Sequence, residues 1–459
     1  MSSRSGKFLT SVCLCSAVAS MVLVAVVGGC PVVTPPPDDG DGTGNTGIAG
    51  VFVGSERCSL CHQGTHIDWA ETLHAKALES LEAIGQDTNP DCVGCHTVGF
   101  GETGGFVDRA TTNDLANVGC EACHGGARAH AENASDVSLR PNASLASEVC
   151  GRCHTGSHHP HIDEWQQAGH AGINEVVADD LILGGFFVNA CGPCHSGEVF
   201  YLSRLQGETV EEDHFANDTA DDLVPITCAV CHDPHAITNN ATEPADGRDF
   251  QLRFPEVLAP TPTNTIDAAT DPTRFNLCGQ CHRSRGRTWM TTSRAPHHSN
   301  QANIYAGEMP LPDEDSELLV FSRVSVHSFA SEQCATCHMY RQDFQSERAP
   351  AISGHTFSVN QASCASSSCH PSTEQALAVQ QTLQTEIQGR LDRIETLLGA
   401  PDTWEYEAAG GPANQSAITD AVKQARFLYY YALNDGSLGM HNPAYVRDML
   451  IKAEALLTP

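Results

Sequence analysis

Cysteine and histidine recur through this 459-residue chain in one short pattern. Of the 21 cysteines, sixteen form eight C-x-x-C-H motifs, and a ninth pair, in "CASSSCH", has four residues between its cysteines. The cysteine pairs, numbered first to ninth in chain order, are Cys58/Cys61, Cys92/Cys95, Cys120/Cys123, Cys150/Cys153, Cys191/Cys194, Cys228/Cys231, Cys278/Cys281, Cys334/Cys337 and Cys364/Cys369. The histidines that follow them are His62, His96, His124, His154, His195, His232, His282, His338 and His370.

The spacing of the motif has a chemical cause. Two thiols must reach the two vinyl groups on one edge of a haem, and the next side chain must turn under the ring to reach the iron. C-x-x-C-H is therefore the attachment signature of a c-type haem. A zinc site would need four ligands around one ion, and neither a redox dithiol nor a disulfide framework needs histidine after every second cysteine. The sequence predicts about nine haem c groups, with the motif histidines as proximal iron ligands.

A haem iron has a second axial position, which the motif histidine leaves open. Of the 23 histidines, fourteen lie outside the motifs. His74 in "WAETLHA" and His170 in "WQQAGHA" occupy matching places in an internal repeat, on stretches that we predict to be helical. Trp69 and Trp165 are expected to pack against porphyrin faces, with an ordinary core position as the alternative.

These repeats resemble the multihaem c-type cytochromes of the hydroxylamine oxidoreductase and cytochrome c nitrite reductase lineage, including their smaller tetrahaem relatives. The string C-x-x-C-H…W-x-x-x-x-H-A matches that family in both repeats, and its last histidine is an iron ligand there. The resemblance implies a multihaem cytochrome c fold that is mainly α with extensive loops. It also implies closely stacked haems and a C-terminal region of long helices.

Other strings extend the resemblance over most of residues 51 to 459. They are "CEACHGGARAH", "CAVCHDPH", "APHHSNQANIYAGE", "SVHSFASEQCATCH", "SGHTFSVNQASCASSSCH" and "DGSLGMHNPAYVRDML". With His74 and His170, the distal ligand candidates that they imply are His130, His235, His298 or its neighbour His297, His327, His355 and His441. The histidines left for a ninth iron, unless that iron is open, are His66, His158, His159, His161 and His214. Histidine on both sides of the iron favours a low potential.

Two classes of function follow from the ligand count. Irons with both axial positions filled pass electrons but cannot bind a substrate, which favours electron transfer. The alternative is a haem oxidoreductase that acts on a small nitrogen or sulfur compound at one open iron. Ammonia-forming nitrite reductases and octahaem tetrathionate reductases have lysine in the catalytic motif, whereas all nine motifs here end in histidine. Hydroxylamine oxidoreductase instead crosslinks its catalytic haem to a tyrosine, so Tyr429, Tyr430 and Tyr431 keep the alternative open. We assign no catalytic residue.

The first fifty residues predict export. Arg4 and Lys7 precede an apolar run that ends in "VGGC", so residues 1–29 indicate a lipoprotein signal peptide and Cys30 an acylated first residue. A membrane-spanning anchor is the alternative. Residues 30–50 are rich in Pro, Gly and Asp, as is typical of a flexible tether. The expected location is the periplasm or the outer surface.

The net charge of the chain limits the classes of partner that it is expected to bind. The formal net charge is −31 and the sequence pI is about 4.9. Nucleic-acid binding relies on clusters of Lys and Arg, so we expect no nucleic-acid partner. Acidity of this size steers basic proteins toward the surface. The expected partners are other redox proteins with basic docking surfaces and, through the lipid anchor, a membrane surface. No G-x-G-x-x-G run opens a helix, so no nucleotide cofactor is expected.

The mature chain is expected to contain an N-terminal multihaem module over 51–175, a second module over 176–370 and a helical region over 371–459. In the last of these, one helix has an apolar stripe of Val379, Leu383, Ile387, Leu391, Ile394 and Leu398.

Capping signals set the ends of the C-terminal helices. Ser372 is predicted to cap the first of them and Gly399 to end it. A second helix is predicted from Ala417 to Leu433. A third has Asn442 as its N-cap, which would hold His441 just outside it. These helices would either join subunits in a homo-oligomer or cover the haems.

Overall fold

Helices and long loops make up the part of the chain that the structure, a computed structural model, describes: residues 51–241, 247–254, 276–311, 325–330, 332–366 and 370–458. Within these ranges no strand is present, and the β pairing consists of four isolated bridges. The predicted mainly α, loop-rich fold class is confirmed. None of the described helices has the length and apolar character that crossing a membrane requires. The predicted signal peptide, tether and Cys30, together with Cys369, lie outside these ranges.

The helices before residue 370 are short, and half of them carry attachment cysteines. Those that carry them are α1 Ser55–Ser59, α4 Pro90–His96, α6 Cys120–His124, α8 Glu148–Gly151, α11 Phe186–His195, α13 Cys228–Cys231, α15 Cys334–His338 and α16 Ala362–Ser366. The others are α2 Gln63–Ala70, α3 Ala77–Glu82, α5 Arg109–Thr112, α7 Arg128–Glu132, α9 His161–Trp165, α10 Glu175–Leu183, α12 Gly197–Phe200 and α14 Gln301–Ala306. A helical turn brings positions i, i+3 and i+4 to one side, so the two thiols and the histidine of a motif face the same way.

Four helices form the C-terminal region: α17 Thr373–Leu398, α18 Pro401–Trp404, α19 Asp420–Leu433 and α20 Pro443–Leu457. The Ser372 hydroxyl accepts the N–H of Gln375, and Gly399 ends α17 at a φ of 83°, as predicted. α19 begins three residues later than predicted, because Thr419 caps it by accepting the N–H of Val422. Asn442 caps α20, as predicted.

The apolar stripe of α17 is buried from Leu383 to Leu398, in a core shared with α19 and α20. Val379 was expected in this stripe, and that prediction is wrong: its side chain is 57% exposed. Val379 lies one turn before the part of the helix that the core covers. Gly439, with a φ of 88°, lies so close to α17 that a Cβ there would be 3.0 Å from Cγ1 of Ile387.

Replacement of Ile387 by Ala should destabilise the C-terminal core. Ile387 is fully buried, and loss of a buried isoleucine side chain costs about 2–5 kcal/mol of unfolding free energy. Val379→Ala, on the same helix, is the matched control and should change stability by less than about 0.5 kcal/mol. Thermal unfolding followed by circular dichroism measures both variants. Equal losses would mean that Val379 is also packed.

Candidate haem-attachment sites

Hydrogen bonds orient several of the histidines that the sequence singled out. Their Nδ1 atoms lie against backbone carbonyl oxygens: His96 with Ala77 at 2.7 Å, His124 with Asn142 at 2.7 Å, His232 with Phe250 at 2.7 Å, His338 with Phe357 at 2.8 Å and His327 with Met440 at 2.9 Å. A histidine whose Nδ1–H donates to a carbonyl keeps its Nε2 lone pair available for a metal.

Six motif histidines face a second histidine at nearly constant separation. The pairs are His62 with His130, His154 with His74, His124 with His235, His282 with His170, His232 with His355 and His338 with His441, with ring centres 6.0 to 6.5 Å apart. An imidazole nitrogen lies about 2 Å from a metal that it ligates and about 1 Å from its own ring centre. Two rings on opposite sides of one iron therefore have centres about 6 Å apart, and the six pairs fit a haem iron between them.

Burial keeps most of these imidazoles neutral. It lowers the pKa of His74, and it lowers the pKa of His170 to about 4, with a further contribution from His282. The pKa values of His154 and His355 are lowered to about 3, again mainly by burial. Only the neutral imidazole ligates a metal, so these side chains are in the required form at pH 7.

His441 has a different partner from the others. Its Nδ1 lies 2.6 Å from Oδ1 of Asp435, a side chain with no exposed surface. Burial opposes the charged imidazole, but the Asp435 carboxylate overcomes that effect and raises the pKa of His441. A carboxylate on the far nitrogen makes a ligating histidine more basic and fixes its orientation. Asp435 lies in the string that contains His441, but the motif pattern does not mark it as a functional residue.

His96 and His370 are two of the motif histidines outside these six pairs. Burial lowers the pKa of His159, and the charges of His161 and His96 lower it further, so His159 lies within electrostatic range of His96. Burial also lowers the pKa of His327, and the charge of His370 contributes. His159 therefore lies near His96, and His327 lies near His370. The sequence alone left His159 among five alternatives.

At the fifth motif, His297 rather than His298 lies opposite His195, with ring centres 6.2 Å apart. His298 stacks on His297 instead, with ring centres 4.2 Å apart. Arg285 places Nη2 3.2 Å from Nε2 of His297 and donates to Ala190 O through Nη1. The guanidinium therefore contacts the nitrogen that an axial ligand would direct at iron.

The remaining histidines have other surroundings. His66 lies beside Trp69, with Nε2 3.5 Å from a Glu56 carboxylate oxygen. The Nε2 atom of His214 is 3.0 Å from Glu198 Oε1. His161 lies 5.1 Å from His154 and from His355, measured between ring centres. His158 stacks on Phe344.

The internal repeat also appears in the contacts of its serines and tryptophans. Ser55 and Ser147, each three residues before a motif, accept the N–H of Cys120 and Cys228 at 3.2 and 3.3 Å. The indole N–H groups of Trp69 and Trp165 donate to Val118 O and Ile226 O. The start of the first repeat is thus hydrogen-bonded to the third motif, and the start of the second repeat is hydrogen-bonded to the sixth motif. The predicted ligands His74 and His170 lie just after helical segments, in 3-10 turns.

Cys61 differs from the other described attachment cysteines in its bonding. Its side chain is exposed, and its sulfur is part of a disulfide bond. A sulfur in a disulfide has no thiol to add to a haem vinyl group, so the disulfide and the thioether exclude each other.

The two thiols of the eighth motif have different surroundings. Neither is in a disulfide, and Cys334 makes the hydrogen bond to Cys278 of the seventh motif. Cys337 is half-buried and lies within electrostatic range of the Tyr305 hydroxyl, whose pKa burial, Cys334 and Cys337 all raise. It is thus the thiol of Cys334 that links the eighth motif to the seventh.

Contacts between thiols show which motifs are neighbours. Side-chain hydrogen bonds join Cys58 with Cys120, Cys95 with Cys153, Cys150 with Cys228, Cys194 with Cys281 and Cys278 with Cys334. The first motif therefore touches the third, the second touches the fourth, and the fourth touches the sixth. The seventh touches both the fifth and the eighth.

Further contacts join these groups. Arg152 Nη2 of the fourth motif donates to Cys123 O of the third at 3.0 Å. The hydrogen bond with Cys194 and burial raise the pKa of Cys281, and Cys231 of the sixth motif adds to this. His327 lies within electrostatic range of both His370 and His441, which connects the ninth motif with the eighth. All nine motifs thus belong to one connected group.

Paired cysteines, opposed histidines and a loop-rich helical fold define the class of the multihaem c-type cytochromes. Two family models match the chain: that described as cytochrome c554 and c-prime over residues 57–125, and that described as cytochrome c552 over residues 315–457.

Individual relatives agree with that class. Cytochrome c-554 of Nitrosomonas europaea is 39% identical over 92 residues, which are 17% of this chain and 39% of that protein. The C-type polyheme cytochrome OmcB of Geobacter sulfurreducens is 25% identical over 58% of this chain and 29% of its own length. Cytochrome c-552 of Porphyromonas gingivalis is 22% identical over 57% of this chain and 55% of its own. The chain thus spans only 29 to 55% of these relatives.

A solved structure shows the same fold. The outer cell wall cytochrome OcwA superposes with a TM-score of 0.59 at 20% sequence identity. The superposition covers 89% of this chain and 100% of that one.

Replacement of His74 by Ala should open one axial position opposite His154 and leave every cysteine attachment intact. One haem should become high-spin and its potential should rise, because a histidine ligand is lost. Optical and electron paramagnetic resonance spectra of the purified protein measure the change.

His66→Ala is the matched control, eight residues before His74, and should leave the spectra unchanged. His159 also lies 6.4 Å from His154 between ring centres. If His74→Ala kept every haem low-spin while His159→Ala opened the fourth site, the pairing of His74 with His154 would be wrong.

Proposed function

We propose that this protein is an exported electron carrier of the hydroxylamine oxidoreductase and nitrite reductase lineage, with nine covalently bound haems. Each haem supplies a one-electron iron couple when bound. The attachment residues would be the nine cysteine pairs, with Cys61 available once its disulfide is reduced, and the proximal ligands the nine motif histidines. The distal ligands would be those in the six opposed pairs, with His159 at the second motif, His327 at the ninth and His297 as the candidate at the fifth.

The observation that carries this proposal is the contact between motifs. Electron transfer between haems requires short separations, and thiols that touch hold their haems close together. Contacts join the first motif to the third, the third to the fourth, the fourth to the sixth and the seventh to the eighth. The sixth and seventh motifs lie within electrostatic range of each other, as do the eighth and ninth, and together these links define a main line through the seven motifs. The second motif branches from the fourth, and the fifth branches from the seventh.

The intact mass of the mature protein should correspond to nine haems, because every cysteine after residue 50 belongs to an attachment pair. If fewer than one electron per protein is delivered by flash photoreduction, it should end on the haems of highest potential whichever haem takes it up first, because the motifs form one connected line. A mass with eight haems, and peptide mapping that finds the missing one, would contradict attachment either at Cys364 and Cys369 or at Cys58 and Cys61. A final distribution that depends on which haem is reduced first would contradict the continuous line.

A second function has one specific observation in its favour. Arg285 contacts the nitrogen of His297 that would otherwise ligate the iron bound to His195. If that contact persists, the fifth iron is open, and a guanidinium and an imidazole face it. Such a site suits a small oxyanion of nitrogen or sulfur, which a haem oxidoreductase would bind. An open iron is high-spin, so the spin states of the nine haems separate this function from pure electron transfer.

Tyr429, Tyr430 and Tyr431 add nothing to this second function. The Tyr431 hydroxyl donates to Glu308 O, and that of Tyr430 donates to Glu405. Their ring partners are other aromatic side chains of the C-terminal core.

We further propose that residues 1–29 direct export and that Cys30 is acylated. The small residues of "VGGC" and the tether that follows support this. Cys30→Ser should release the protein from membranes, because a lipid anchor is then lost. Membrane fractionation and the mass of the amino terminus measure this outcome. A Cys30→Ser protein that stays in the membrane with residues 1–29 attached would favour a spanning anchor.

A further inference from the structure

Large apolar side chains are exposed where α10 meets α11. Val176 and Leu183 are 67% and 76% exposed on α10, and Phe186 is 73% exposed at the start of α11. Val176 and Leu183 are seven residues apart and therefore lie on one face of the helix. We call these three residues the α10–α11 surface. Isolated exposed apolar residues are ordinary, but neighbouring ones of this size indicate a binding surface.

The haem of the fifth motif does not cover this surface. Phe186 and His195 are the first and last residues of α11, nine positions apart. Nine residues are about two and a half helical turns, so the two side chains point to opposite sides of α11. A haem that His195 ligates lies on the side away from Phe186. The apolar surface is therefore behind the attachment site and directly connected to it through α11.

Acidic side chains border the surface. Glu211, Glu212 and Asp213 are exposed, and with Leu183 they line a cleft of about 450 Å³. The acidic segment is tied to α11, because Gly185 N donates to Glu212 O at 2.8 Å and Asn189 Nδ2 donates to Val210 O at 3.2 Å. These bonds keep the carboxylates next to the apolar side chains.

The surrounding sequence contains almost no positive charge. Residues 153–247 contain sixteen Asp and Glu residues but one Lys or Arg, Arg204. Asp180 of α10 lies within electrostatic range of Cys191 of the fifth motif. Arg285 and Arg294 also lie in that range, but they approach the motif from residues 283–294, outside the acidic stretch.

We propose that the α10–α11 surface, with its rim of Glu211, Glu212 and Asp213, is the docking site of a small basic redox protein whose apolar patch is ringed by lysines. Apolar residues inside a charged rim give contact area, while the rim steers the partner by its opposite charge. Among the described residues the fifth motif contacts the main line through the seventh, so a partner docked here exchanges electrons at the end of a branch. This inference rests on the proposed electron-transfer function.

The test uses the full-length haem-loaded protein and a basic monohaem cytochrome c with a lysine-ringed haem edge as the probe. Stopped-flow spectroscopy measures the second-order rate constant of electron exchange at low ionic strength. Glu211→Gln, Glu212→Gln and Asp213→Asn together should lower it by about tenfold, because steering by opposite charge is lost. Leu183→Ser with Phe186→Ser should lower the rate at high ionic strength as well, because the apolar contact does not depend on salt.

The control has the same change in net charge elsewhere on the chain: Asp392→Asn, Glu395→Gln and Asp402→Asn, which are all exposed residues of the C-terminal region. It should change the rate by less than about twofold. Equal effects of the two triple variants would show that overall charge alone steers the probe and would overturn the proposed site.

Direct reduction by dithionite tests electron uptake without docking. A site variant that loses rate with the probe but is fully reduced by dithionite supports the docking site. If even the unchanged protein failed to accept electrons from dithionite, the electron-transfer function itself would be wrong.

Discussion

Six motif histidines each face a second histidine with ring centres 6.0 to 6.5 Å apart, and these pairings constrain the tertiary structure of the chain. The members of each opposed pair are far apart in sequence: His62 faces His130, and His232 faces His355. Each pair therefore closes a long loop, and loop closure costs entropy that the local structure must offset. Ligation of metal by residues distant in sequence is coupled to folding in the same way in other metalloproteins.

The C-terminal helices support this arrangement from one end of the chain. Asn442 caps α20 and also donates through Nδ2 to Ile304 O at 3.0 Å. The loop before it carries Asp435, His441 and Gly439, and Gly439 lies against Ile387 of α17. The position of the imidazole opposite His338 is thus set by helix packing as well as by its own loop. In this region one apolar core serves both stability and the geometry of the site.

The local chemistry could be predicted from the sequence, because attachment needs residues at fixed short spacing. The helix ends at Ser372, Gly399 and Asn442 could be predicted for the same reason, since caps depend on one or two neighbouring residues. The exposure of Val379 could not be predicted from the sequence, because it depends on where two other helices end. The disulfide of Cys61 could not either, because the motif spacing carries no information on which other sulfur comes near in the folded chain.

The histidine that faces each motif histidine could not be predicted from the sequence either. His74 follows the first motif but faces His154 of the fourth, and no short-range signal encodes that choice. The buried carboxylate of Asp435 and the contact of Arg285 with His297 depend on loops that meet only in the folded chain.

The wide separation within each pair has a consequence for maturation. If the chain is exported from its amino end, as proposed above, His232 arrives long before His355 does, and His338 arrives long before His441. Haems attached to the first motifs would then meet other histidines while the rest of the chain is still to come. His161 is close to His154 in sequence, and its ring centre lies 5.1 Å from that of His154. It would be a local ligand for a newly attached haem, and the last-arriving segments, rather than the attachment chemistry, would then decide the final ligation.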